Sequence, residues 1–561
     1  MRAAILFEPD GYLLTGPKVM GRQAAGAGFL RAMVQGRGDG PVTGFSPFAA
    51  SERALRSAVA QIAPEAGVRW IPEQRSDLLR QEAVLYRPDQ ILGPMARRRL
   101  RAGAAAYSLC GVTHTLATLG TLGAIADILT EPVMPWDALI CTSSAALGVV
   151  ETTLTAHADY LRWRTGQAVA ADRPLTPVIP LGVHCEDFAF GEGARAKARA
   201  ALALGDTEVA ILFAGRLSVS GKAHPYPMLR ALQKTSEASG QKLVLLMAGQ
   251  APNAALADIL QSAAATFCPD VRTVFIDGAD GEAYRGAWVA ADVFVSLADS
   301  IQETFGITPL EAMAAGLPVL VSDWNGYKDT VRDGLDGFRI RTWAPSPGAG
   351  GGLANDYATG ALRYEEYLMK ANTAVSVDME QLVGRLGELV SNPELRLRLG
   401  KSGRDRARTE FDWAIVYDRY RALWGEQDAI RRRALQDSAW AQRLSGAPSA
   451  HAAELGPYDT FAGFPTGPVT AQTVVAAAPG VAGDAYRILI GHPLMALSYV
   501  QPPLVDTILA ALGAGPTSVE RLAAATGMAL PQMTEVIARL AKVDVLALHE
   551  PSPPPPPFRG G

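Results

Sequence analysis

Two glutamates, Glu303 and Glu311, stand eight positions apart across a loop and the first turn of a short helix, with Phe305, Gly306, Ile307 and Thr308 between them. A helix N-terminus beside a glycine presents unpaired backbone N–H groups and a positive dipole end, which suits an anionic phosphate. Carboxylates on either side would accept hydrogen bonds from hydroxyls. The pattern therefore fits a ligand with a diphosphate in its middle and a sugar at each end, the layout of a nucleotide sugar. Glu311 has a second reading. Thr308-Pro309-Leu310-Glu311 is also a capping box, in which Glu311 reaches back to the Thr308 backbone and touches no ligand. Both readings stand for Glu311, whereas Glu303 has no capping duty.

Cationic candidates lie earlier in the chain. Arg216 follows the apolar run Val209 to Gly215, and Lys222 comes six positions later in the loop before the next helix. Guanidinium and ammonium groups are what a departing diphosphate needs as negative charge builds on it; the plainer reading is a pair of solvated loop charges. His114 falls just past a strand read at Ala105 to Val112, at its carboxyl end, where ligands bind in open α/β sheets. A lone histidine is otherwise more often structural. Gly21 and Arg22, at the end of the first glycine-bearing loop, are weaker candidates for acceptor or phosphate contacts.

These residues need strands to hold them. Asp292 to Leu297 leads into the acidic loop and Pro318 to Ser322 leads out, both reading as buried strands. Thr308 is the expected N-cap, Pro309 the first helical residue, and Gly316 with Pro318 the stop. Strands alternate with helical patterns on both sides of this motif, at Ala3–Phe7, Val42–Phe45, Val68–Ile71, Ala138–Thr142 and Thr176–Pro180, then Lys242–Ala248, Val271–Ile276 and Phe338–Ile340. The fold class expected is α/β, with two facing Rossmann-like doubly wound domains and a small, mostly helical C-terminal module. The expected division is an N-terminal acceptor-side domain at 1–190, a donor domain with crossing-back helices at 205–424, a helix and Ala/Gly/Pro-rich linker at 425–483, the C-terminal module at 484–550 and a proline-rich tail at 551–561. Gly191 to Gly205 is read as the hinge, and Pro345 to Gly352 as a flexible loop.

Composition narrows the function classes. The chain has 561 residues, 48% of them hydrophobic and 19% charged, with a net charge of -4. That balance gives no general attraction to nucleic acid. Its four cysteines (Cys110, Cys141, Cys185, Cys268) are scattered, with no histidine at ligand spacing, so no metal site or disulfide framework is expected. The N-terminus reads as no signal peptide, and a cytoplasmic location is expected. The uncharged run Ala102 to Ala126 is broken by Gly103, Gly111, His114, Gly120 and Gly123 and reads as strand, loop and helix, not a membrane span. Arg97 to Arg101 and Arg431 to Arg433 read as solvated helix faces, with peripheral contact to anionic lipid the minority alternative.

Taken together, Phe213-Ala-Gly-Arg216-Leu217, Lys222, the Glu303 to Glu311 motif and Ala314-Ala-Gly316-Leu-Pro318-Val resemble the retaining glycosyltransferases of family 4, which have the GT-B fold. Val178 to Val183 and Asp333 to Phe338 add to the likeness, which covers about Ala3 to Trp424. The resemblance implies that Glu303 contacts the transferred sugar and Glu311 the donor ribose. Arg216 and Lys222 would hold the diphosphate, helped by backbone N–H groups from Phe305, Gly306, Ile307 and Thr308. His114 would touch the donor sugar from the first domain. The family's lysine is usually followed by glycine, whereas here Gly221 precedes Lys222 and Ala223 follows.

The expected activity is transfer of a sugar from a nucleotide diphosphate donor to a hydroxyl of a glycan, lipid-linked or other acceptor, without metal or other cofactor, by front-face displacement with retention. The alternatives are a phosphorylase or epimerase on the same fold, or an inactive scaffold. Three short helices and a strand between 503 and 548 resemble a winged-helix module. From 484 to 550 there are four basic against six acidic residues, so a protein partner is expected there and not nucleic acid.

Overall fold

The computed structural model describes residues 2–14, 21–168, 172–480 and 483–550. Gly16 and Met20 of the first loop, and the tail 551–561, lie outside the described residues.

Two six-stranded parallel sheets form the first compact unit, which ends at residue 451. The first sheet holds β1 (Ala4–Leu6), β2 (Val42–Phe45), β3 (Val68–Ile71), β4 (Val84–Tyr86), β5 (Ser108–Val112) and β6 (Ala138–Ile140) in the order β3-β2-β1-β4-β5-β6. The second holds β7 (Val209–Ala214), β8 (Leu243–Gly249), β9 (Arg272–Asp277), β10 (Val293–Ser296), β11 (Val319–Ser322) and β12 (Gly337–Ile340) in the order β12-β11-β10-β7-β8-β9. Numbered from its own first strand, each sheet runs 3-2-1-4-5-6, the doubly wound order. Every residue of β7, β8, β10 and β11 is buried, as helices on both faces require. The chain order reverses between β1 and β4 and between β7 and β10. Ligands bind such sheets in the crevice beyond the strand ends at that reversal.

Several expectations change. Thr176 to Pro180 forms no strand, only isolated bridges at Leu175 and Val178, because Pro174, Pro177 and Pro180 have no N–H to give a ladder. The stretch expected as a hinge, Gly191 to Gly205, carries the helix Ala194–Ala201. Arg195 and Arg199 bind Asp292 and the carbonyls of residues 289–291, so this helix belongs to the second sheet's body. The two crossings between the bodies lie instead side by side: Val183 N–H donates to Phe411 O at 2.8 Å and Trp413 N–H to Val183 O at 3.0 Å. A Cβ on Gly182 would sit 2.6 Å from the Trp413 ring, so only glycine allows the approach.

After the second crossing the helix Trp413–Gln436 packs on the first body. Trp413, Tyr420 and Trp424 join Phe29 and Tyr86 in one aromatic cluster, and buried Gln427 donates to Leu109 O and Trp136 O. The arginine runs are pins in part, while Arg101, Arg432 and Arg433 keep to solvated faces as expected. Arg99 is fully buried and forks onto Asp137 at 2.6 and 2.8 Å, Arg98 pairs with Glu73, Arg97 with Glu131, and Arg431 and Arg432 with Asp428. The four cysteines are free and buried, and among the described residues no helix is long and apolar enough to cross a membrane.

β13 (Thr342–Trp343) and β14 (Ser376–Val377) pair antiparallel and bracket an insertion bearing the helices Gly351–Ala358 and Tyr364–Asn372. The glycine-rich run read as a flexible loop is the lead-in to the first of them: Gly350, at φ +85, is its N-cap.

The second unit, from residue 452, contains β15 (Val474–Ala477), β16 (Thr517–Ser518) and β17 (Leu546–His549) in the order β16-β15-β17. Its helices Pro502–Leu512, Val519–Thr526 and Leu530–Lys542 close over a core of Val505, Ile508, Leu522, Met533 and Ile537. β15 lies inside the stretch read as linker; its Val-Val-Ala-Ala run pairs with β17 over four residues. Among the described residues no strand hairpin follows the third helix, which is where a wing would be.

Candidate active site

Arg216 and the acidic loop leave the sheet at adjacent places, Arg216 after β7 and residues 297–307 after β10, so both sit at the reversal of the second sheet. Gly215, at φ +129, lets the chain turn sharply there; a Cβ on it would lie 3.8 Å from Thr308 Cγ2 and 3.9 Å from Lys222 Cε. Lys222 Nζ forms an ion pair with Glu303 Oε2 across 81 residues of sequence, both groups half-buried. The Arg216 guanidinium has no ion pair or hydrogen bond among the described residues; its Nη2 lies 3.3 Å from where a Cβ on Gly221 would be.

The acidic loop is braced through its carbonyls. Trp324 Nε1 donates to Ser300 O (3.0 Å), Asn325 Nδ2 to Glu303 O (2.7 Å) and Ser143 Oγ to Thr304 O (2.7 Å). Asn325 reaches Glu303 from a left-handed backbone at φ +39, a conformation asparagine tolerates. Gly306, at φ +82, rests on Tyr327: a Cβ would be 2.2 Å from that ring. From Thr304 through Thr308, five consecutive N–H groups make no hydrogen bond to protein among the described residues, at the mouth of the helix Thr308–Ala315. A run of free N–H groups at a helix N-terminus is an anion cradle.

The helix start differs from the expected one. Ile307 is the N-cap, Thr308 the first helical residue and Pro309 the second. Thr308 turns its hydroxyl to Tyr327, whose own hydroxyl also bonds Ser296 at 2.8 Å, so no capping box forms. The Glu311 carboxyl accepts no hydrogen bond among the described residues, and burial, only partly offset by Lys222, pushes it up to about 7. Asp299, three residues past β10, is likewise pushed to about 7 by burial while accepting from His224 N–H at 3.0 Å; its other oxygen has no partner.

The first body contributes His114, past β5, one strand out from the reversal of its own sheet. Burial pushes its imidazole down to about 4, against the opposing pull of Asp89, and its ring bonds the Pro88 backbone. Arg22, at the start of the helix Gly21–Gln35, is close enough for its charge to act on His114, and is itself paired with Asp10. His114 connects to the acidic loop through a short relay. Neighbouring Thr113 accepts from Thr142 N–H at 3.0 Å, and Ser143, next in the chain, holds Thr304. Ser144 N–H and Oγ both bind Asp329, at 2.6 and 2.9 Å, so the N-terminus of the helix Ser144–Thr165 is clasped to the second body. The structure thus groups Arg216, Lys222, Glu303, Thr308 and the N–H groups of Phe305, Gly306 and Ile307 in one crevice. Glu311 stands one helical turn in, and His114 across the crevice. Among the described residues no three His, Cys, Asp or Glu side chains are placed to hold a metal ion.

Residues 194–343 match the family model described as Glycosyl transferases group 1, so the second body carries a domain of that group. The relatives extend further along the chain. A D-inositol 3-phosphate glycosyltransferase of Nocardia farcinica is 29% identical over 255 residues, 43% of this chain and 53% of that protein. An alpha-maltose-1-phosphate synthase of Mycobacterium tuberculosis is 27% identical over 368 residues, 60% of this chain and 85% of that protein. The chain spans about half the length of the Nocardia relative. The solved sucrose-phosphate synthase of Thermosynechococcus elongatus aligns with a TM-score of 0.48 at 17% identity, over 76% of this chain and 100% of that one.

Sequence reasoning passed over Ser143, Ser144, Asn325, Tyr327 and Asp329. Ser143 was findable: a Thr-Ser-Ser run after an apolar strand is a helix-start signal.

Proposed function

We propose that this protein is a retaining glycosyltransferase that moves a sugar from a nucleotide diphosphate donor to an acceptor hydroxyl. The observation that carries the reading is the row of five free N–H groups from Thr304 to Thr308, beside Lys222 and an Arg216 with no anionic partner. Such a cradle takes up the two negative phosphates and stabilises the charge that gathers on them as the sugar bond breaks. Glu303, freed from Lys222 as the diphosphate takes over the ammonium, accepts hydrogen bonds from the transferred sugar. Glu311 accepts from the ribose. His114, uncharged at neutral pH, meets the sugar from the opposite body as a neutral hydrogen-bonding group. Transfer proceeds on the face the diphosphate leaves, and a departing phosphate oxygen takes the acceptor proton, so neither glutamate serves as nucleophile. The relatives' names, both of enzymes that build sugar derivatives, support sugar transfer. We place the reaction in the cytoplasm, in keeping with four unpaired thiols, and assign the second unit to contact with a protein partner.

Screening nucleotide diphosphate sugars for protection against thermal unfolding identifies the donor. With that donor, Glu303→Gln is expected to lose a charge-assisted contact worth roughly 1.5–3 kcal/mol, or about ten- to hundredfold in rate. Undiminished transfer, or no protection by any nucleotide sugar, refutes the proposal.

A further inference from the structure

The insertion between β13 and β14 begins where the family match ends, at residue 343. Its two helices make one hydrogen bond to the rest of the unit among the described residues: Asn372 Nδ2 donates to Ser220 O at 2.7 Å. That bond lands on the loop that carries Lys222. Ser300 Oγ binds the same carbonyl at 2.8 Å, and Gly221, next in the chain, lies against Arg216 Nη2. Asn372 is 3% exposed, and its Oδ1 has no partner.

Three tyrosines of the insertion stand together. Tyr357 stacks on Tyr367 with ring centres 4.5 Å apart and lies 6.1 Å from Tyr364. Tyr364 differs from the other two in that its hydroxyl is buried without a hydrogen-bond partner. A phenol hydroxyl left so carries a desolvation cost, and phenylalanine would fill the same space without it. Burial raises the phenol well above its ordinary range, so it keeps its proton, and Arg216 is near enough for its charge to act on it. A neutral donor beside an unpaired guanidinium is matched to an anionic oxygen.

We propose that Tyr364, delivered by the insertion and tethered through Asn372 to the Lys222 loop, is a further binding residue for the diphosphate, its hydroxyl donating to a phosphate oxygen held by Arg216. This rests on the donor site proposed above. The insertion then acts as a cover that the diphosphate fastens: Lys222 and Arg216 grip from the sheet, Tyr364 from above.

The test is calorimetric titration of the full chain with UDP, GDP and ADP, comparing wild type with Tyr364→Phe, which removes one oxygen. For whichever diphosphate binds, Tyr364→Phe is expected to weaken affinity about five- to thirtyfold while leaving affinity for the parent nucleoside unchanged. Trypsin cleavage after the exposed Arg363 is expected to slow on adding the diphosphate to wild type, and to slow less in the variant. Equal diphosphate affinity in the two proteins overturns the role of Tyr364 and leaves the donor site standing. Equal weakening of nucleoside and diphosphate makes the hydroxyl structural and also overturns it. Failure of wild type to bind any of the three overturns both readings.

Discussion

Replacing Glu311 by glutamine separates what the buried carboxyl costs the fold from what it gives the site. Burial moves this group from 4.5 to about 7. In that window the folded chain binds more protons than the unfolded chain, so stability falls as pH rises from about 4.5 to about 7 and is level above. The full penalty is about 3 kcal/mol, at 1.36 kcal/mol per tenfold change in proton affinity. Glutamine keeps the shape and has no charge to desolvate. Glu311→Gln should therefore be more stable than wild type by up to about 3 kcal/mol at pH 8, and by less than about 1 kcal/mol at pH 5. With about 2.1 cal/mol/K of unfolding entropy per residue over roughly 450 residues, 3 kcal/mol corresponds to about 3 °C in the midpoint of the first unit's transition. Calorimetric scans of both proteins at half-unit steps from pH 5 to 8 measure the difference. Asp299 titrates in the same range but is present in both proteins and cancels. The stabilised variant should also bind nucleotide more weakly, since an amide is a poorer acceptor than a carboxylate. A stability difference that is flat with pH, or a variant less stable at pH 8, refutes the account of Glu311 as a desolvated acid kept for ligand.

Two further outcomes follow from the crevice. In pH–rate profiles, the inflection near 7 from Glu311 should persist in His114→Ala and vanish in Glu311→Gln, because His114 is pushed down to about 4 and stays neutral over the assayed range; an inflection lost with His114 would reverse the assignment. Asp329→Asn weakens the solvent-facing clasp on Ser144, a change of about 1 kcal/mol, and should raise the population of opened molecules about fivefold, seen as a larger radius of gyration in small-angle scattering; an unchanged profile removes the clasp from the closing equilibrium.

The parts of this structure that could be read from the chain are those whose cause is local. β7, β8, β10 and β11 are apolar runs because they are buried on both faces, and Arg216 and Glu303 stand out because polar groups follow such runs. β4 escaped notice, although it lies beside β1 at the sheet's reversal: three residues, Val84 to Tyr86, flanked by Glu82 and Arg87, carry no period. The Lys222–Glu303 pair spans 81 residues and the Ser144–Asp329 clasp 185, and nothing local marks such meetings. Thr308 looked like a cap because Thr-Pro-x-Glu is a helix-start pattern. Tyr327, invisible at that distance, took its hydroxyl instead. The insertion's glycines announced a loop, while the contact that gives it meaning, Asn372 on Ser220, is tertiary.

The paired crossings at Val183 and Phe411–Trp413 have a mechanical consequence. One peptide strand joining two bodies is a swivel, free to twist as well as bend. Two strands laced together by hydrogen bonds, with an indole wedged against Gly182, form a ribbon, which bends across its thin dimension and resists torsion. Such a ribbon favours one bending coordinate between the bodies over twisting, which would keep His114 in register with the acidic loop.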